Sequence, residues 1–134
     1  MKSLSLTRAF ALYNARLRNV RWAYSAIADG PLVLSCWDQY LSEKPGGILR
    51  YDVTDFSQWS SNPKGKKLLR QHLTEALDGG LSVRMVRVIT ADPKAVVAGV
   101  DGSKLKKTIT APKEFVGKVI RLTSQRFIID FRKA

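Results

Sequence analysis

The run Asn62-Pro63-Lys64-Gly65-Lys66-Lys67, with Arg70 one turn further on, gathers four cations where a helix should begin. Lysines in a first helical turn face the positive end of the helix dipole, an unfavourable placement by roughly 0.3–1 kcal/mol each. A docked anion reverses the sign, because free backbone N–H groups and ammonium groups would point at it together. A phosphate site is one reading of this run, and a solvated basic face is the other. It is not a P-loop, which requires Gly-x-x-x-x-Gly-Lys-Ser/Thr after a strand. A second basic stretch holds Lys104, Lys106, Lys107 and Lys113. On an edge strand these lysines would block edge-to-edge association. Placed beside Lys64, Lys66, Lys67 and Arg70, they would instead extend one phosphate-binding track. Trp59 sits among Ser57, Gln58, Ser60 and Ser61, which predicts an exposed ring available to stack a base.

Other chemistries find less support. One histidine (His72) and one cysteine (Cys36) exclude zinc sites built from His and Cys clusters. His72 falls on the apolar face of the second helix and reads as a core histidine. Cys36 lies in the run Leu32-Val33-Leu34-Ser35-Cys36-Trp37 and reads as a small buried hydrophobe. Asp52 and Asp55, with Glu43-Lys44, are the carboxylates a metal-dependent nuclease would have to use. Their spacing matches no catalytic pattern, and carboxylates at a strand end are usually turn or surface residues. No catalytic residue, metal ligand or cofactor is therefore assigned.

The charge balance sets the expected partner. The chain of 134 residues carries a formal net charge of +12. Residues 1–61 hold seven Lys/Arg against five Asp/Glu, and residues 62–134 hold sixteen against six. Such an excess repels itself in the folded state but draws anions towards it. Nucleic acid, DNA or RNA, is the expected ligand of a non-enzymatic binding domain. The alternatives are a regulatory module docking an acidic protein and, behind it, the nuclease. No stretch reaches the ~20 apolar residues of a membrane span, and no secretory h-region follows Lys2. A cytoplasmic protein with no membrane partner is expected, and a lone cysteine fits a reducing compartment.

The length suits a single domain over residues 1–134. Leu6, Phe10, Tyr13 and Leu17 recur at helical spacing and predict a first helix, with Arg16 and Arg18 in its last turn. Alternation predicts strands at Val20–Ile27, Leu32–Trp37 and Ile48–Val53, broken at Ala28-Asp29-Gly30-Pro31 and at Lys44-Pro45-Gly46-Gly47. Asn62 and Pro63 open a second helix, and Asp78-Gly79-Gly80 stops it. Leu81–Ile89, Lys104–Thr110, Lys118–Leu122 and Arg126–Phe131 read as further strands, with a short helical turn at Lys94–Val100. This order predicts an α+β fold: one curved, mostly antiparallel sheet of five to six strands, in the manner of a half-open barrel, with two main helices packed on it.

The run Arg18-Asn19-Val20-Arg21-Trp22-Ala23-Tyr24-Ser25-Ala26, then Cys36-Trp37-Asp38 and Asn62 before the basic helix, resembles small bacterial proteins of no assigned function. The resemblance covers about the first two thirds of the chain. It implies a bacterial cytoplasmic setting and carries over no activity or site residue.

Overall fold

Asn62 caps the second helix as its sequence position predicts. Its Oδ1 accepts from the Gly65 N–H at 3.0 Å, Pro63 takes the first helical position, and α2 runs Pro63–Gly79. Gly80 ends it in the left-handed conformation, φ 63°, which a residue without Cβ adopts freely. The apolar face of α2 buries Leu68, Leu69, Leu73 and Ala76, while Leu77 stays largely in solvent.

A computed structural model describes residues 3–19, 23–59, 62–90 and 107–133. Among these, eight strands form one open, mixed sheet: β1 Ser25–Ile27, β2 Leu32–Trp37, β3 Leu41–Lys44, β4 Ile48–Val53, β5 Val83–Thr90, β6 Lys107–Thr110, β7 Phe115–Leu122 and β8 Phe127–Lys133. Their order is β1-β2-β5-β7-β8-β4-β3, with β6 also pairing β5. The pairing of β2 with β5 is parallel, and the other described pairings are antiparallel.

Strand alternation divides the core between two faces. Leu32, Leu34, Val83, Met85, Tyr51, Phe127, Ile129 and Phe131 face α2. Val33, Trp37, Val86, Val88 and Ile109 face α1, which runs Leu6–Ala11 and contributes Ala9 and Phe10. Flanked by strands and covered on both faces, β2 is buried along its whole length, the pattern of a central strand. At Gly117, where β5, β7 and β8 meet, an added Cβ would come within 2.6 Å of the Phe131 ring.

The α+β class stands, with corrections. The sheet has eight strands rather than five to six: all seven segments with a strand pattern join it, and β3 is an eighth that the sequence does not announce. Its residues Ser42, Glu43 and Lys44 are exposed, and an edge strand facing water on both sides carries no apolar alternation to betray it. The first helix is also shorter than its stripe implies. The Ala15 N–H reaches Phe10 O and the Asn14 N–H reaches Ala11 O, with Asn14 at φ 59°. This is a Schellman closure with asparagine in the left-handed position, so Arg16 and Arg18 lie beyond the helix. Val20–Trp22 and the expected turn at Lys94–Val100 lie outside the described residues. Among the described residues no helix is long and apolar enough to cross a membrane.

Candidate nucleic-acid interface

The basic start of α2 is largely occupied by the protein itself. Lys66 Nζ donates to Ser57 O at 3.0 Å and lies 5.7 Å from the Phe56 ring centroid. Arg70 donates to Thr123 O and Ser124 O, each at 3.0 Å, and its guanidinium lies 4.8 Å from the same ring. These two cations thus clamp α2 to the Phe56–Gln58 turn and to the β7–β8 turn. Backbone donors are scarce as well. Pro63 has no N–H, Gly65 donates to Asn62 Oδ1, and Lys66 donates to Asn62 O. An anion would find far fewer free donors than an uncapped helix offers. Lys64 and Lys67 are exposed, and their side chains form no ion pair or hydrogen bond among the described residues.

Trp59 corrects the expectation of a surface ring. It is 8% exposed, within 6.4 Å of the Tyr24, Tyr40, Phe56 and Phe127 rings by centroid, and its Nε1 donates to Asp55 Oδ1 at 3.1 Å. Its polar neighbours in sequence misled because the apolar surroundings come from Tyr24 just ahead of β1, from Phe127 of β8 and from the turns that carry Tyr40 and Phe56. It cannot offer a free face to a base.

The second lysine group does not join the first. Lys104 and Lys106 lie outside the described residues. Lys107 pairs in register with Thr90, two positions from Ile109, which packs on the α1 side. The side-chain period of two therefore puts Lys107 on the α1 face, opposite the face that α2 covers. Lys113 is exposed beyond β6, and its backbone carbonyl accepts from Arg84 Nη2 at 2.7 Å.

The carboxylates are held apart. Asp52 accepts from Arg126 Nε and Nη2 at 2.9 and 2.6 Å, in a paired fork. Asp55 accepts from Tyr40 Oη at 2.9 Å as well as from Trp59, and burial followed by this contact pushes the Tyr40 phenol well up. No cluster of three His, Cys, Asp or Glu able to hold a metal occurs among the described residues. His72 Nδ1 lies 2.7 Å from Ser25 Oγ, and burial lowers its pKa. Cys36 is fully buried, and desolvation pushes its thiol well up.

A different site emerges around Arg87, Phe115 and Lys133, bordered by residues that pack on the α2 side (Leu41, Phe115) and on the α1 side (Leu4, Ala111). Two adjoining recesses, of about 790 and 870 Å³, share Arg87, Phe115 and Lys133. The first opens towards the β3–β4 hairpin and the second towards the Ala111–Glu114 connection. Together they are lined by five cationic residues (Lys44, Arg87, Lys113, Arg132, Lys133) against two acidic ones (Glu43, Glu114). Arg87 is fixed by Asp38, Nε to Oδ1 at 2.8 Å, and Arg132 leans on Gly46 O at 3.4 Å. Lys44, Lys113 and Lys133 enter no ion pair among the described residues. The sequence places Lys113 in a basic stretch and offers no signal of a site at Arg87. It had no means of bringing residues 44, 87, 113 and 133 together, since three different strands and a loop deliver them.

Comparison with known proteins leaves this geometry to speak alone: no family model, no curated protein and no solved structure matches the chain.

Proposed function

We propose that this chain is a nucleic-acid-binding domain, without chemistry of its own, that holds phosphates in the paired recess between the β3–β4 hairpin and the β6–β7 connection. One observation carries the reading. Five cations against two acids line two adjoining recesses that share Arg87, Phe115 and Lys133, and only Arg87 among the five is ion-paired within the described residues. A concave site concentrates the field of such charges, and repeated phosphates are the partner that matches several cations at once. Lys64 and Lys67 add to the long-range attraction from elsewhere on the surface. Asp52 and Asp55, already bound to Arg126, Tyr40 and Trp59, are poorly placed for metal-assisted cleavage.

Fluorescence anisotropy with mixed-sequence oligonucleotides tests it. Log affinity should fall linearly with log salt, at about 0.7–0.9 per phosphate neutralised. The variant K44E/K113E/K133E should flatten that slope by about one for each lysine that meets a phosphate. It should also lose on the order of a hundredfold in affinity at low salt, while its circular dichroism matches the parent. An unchanged affinity in that folded variant refutes the site.

A further inference from the structure

Resting on that reading, we infer that the recess takes single-stranded rather than duplex nucleic acid, by seating an unpaired base against Phe115. The rings of Tyr24, Tyr40, Tyr51, Phe56, Trp59 and Phe127 pack on one another within the core. Phe115 packs against the margin of this core but pairs with none of these rings among the described residues. It is half-buried at the shared wall of the two recesses, with Lys133 Nζ 6.0 Å from its ring centroid.

Both recesses are open to solvent, with volumes in the roughly 300–1,000 Å³ range of ligand-binding clefts. They can admit a base with its sugar, whereas a duplex keeps its base faces stacked and offers only phosphates and groove edges. The wall composition fits the same guest. Arg87 is locked by Asp38 and so presents a preset planar guanidinium. Ile89, 37% exposed, and Thr110 continue the second recess with apolar and hydroxyl surface. An aromatic face bordered by cations is the combination that grips single strands with little regard to sequence.

The experiment compares a single-stranded oligonucleotide carrying 2-aminopurine with a duplex of the same sequence, on the parent and on Phe115→Leu. Leucine keeps an apolar side chain of similar bulk and removes the ring. The single strand should bind the parent on the order of tenfold more tightly than the duplex, and 2-aminopurine fluorescence should drop on binding. In Phe115→Leu the single-strand affinity should fall about five- to tenfold, the fluorescence change should disappear, and duplex affinity should hold within about twofold. Equal affinity for both forms, with Phe115→Leu binding as the parent does, overturns the base site. The recess remains a phosphate site in that case, provided K44E/K113E/K133E still weakens both ligands. If that variant weakens neither, the proposed function falls as well.

Discussion

Two regions of this molecule are basic, and they use their charge differently. At the start of α2, Lys66 and Arg70 donate to carbonyls of neighbouring turns and lie over Phe56. In the recess, Lys44, Lys113 and Lys133 form no ion pair among the described residues, and only Arg87 is tied to a carboxylate. The first region is the denser in sequence, yet its cations serve as clamps. The second is dispersed along the chain: Arg87 is ion-paired, Arg132 donates to Gly46 O and Lys133 lies 6.0 Å from the Phe115 ring centroid, yet its cations line two adjoining recesses. Each region keeps two lysines without a side-chain partner among the described residues, Lys64 and Lys67 in the first and Lys44 and Lys113 in the second, so the concave wall rather than free charge alone sets the second apart. The penalty of lysines near a helix N-terminus can be offset by the protein's own carbonyls as well as by a bound anion.

The comparison breaks most sharply at Trp59. Trp59→Ala removes a buried ring and should lower unfolding free energy by about 3–5 kcal/mol in urea titration. The folded fraction should bind nucleic acid as the parent does. A cost below about 1 kcal/mol with lost binding would return Trp59 to the surface role its sequence suggests. Charge reversal separates the regions next. Against the roughly hundredfold loss expected in the recess variant, K64E/K67E should weaken binding by no more than about threefold, through long-range screening alone. The opposite ranking would move the interface back to the helix.

Smaller effects sharpen the clamp. Arg70→Met frees the Thr123 and Ser124 carbonyls to water and should cost about 1 kcal/mol of stability, because both are exposed. Affinity should not change, and an affinity loss without a stability loss would make Arg70 a ligand contact. The smallest effect concerns pH. Burial lowers the His72 pKa in the folded chain, with Glu75 opposing and Arg18 reinforcing. The unfolded chain, near about 6.5, takes up its proton first. This contribution to stability is thus complete above about pH 6.5 and is lost as pH falls towards the folded value. Thermal melts should show the parent losing about a degree or two relative to His72→Gln between pH 7 and pH 5. Binding should stay level, since His72 is the one histidine of the chain and does not line the recess. Melting curves of parent and variant that run parallel across that range would remove His72 as a proton-linked contact.

Much of the architecture was readable from residues alone. Local steric rules set the limits of α2, because Asn62, Pro63 and Gly80 act on their own backbone and that of residues within a turn. The same holds for β2, for β4 and for the alternation of β8, where side-chain period alone sorts Phe127, Ile129 and Phe131 from Asp130 and Arg132. The edge strand β3 and the early stop at Asn14 escaped because neither carries an apolar pattern. The overall charge excess, and with it the expectation of an anionic partner, also belongs to the sequence. What that charge does was decided only in three dimensions. Whether a lysine meets a carbonyl, a ring or open solvent depends on strands distant along the chain. Burial of Trp59, the clamping of Arg70, the opposite face of Lys107 and the meeting of Lys44, Arg87 and Lys133 are all long-range outcomes, which short-range periodicity does not encode.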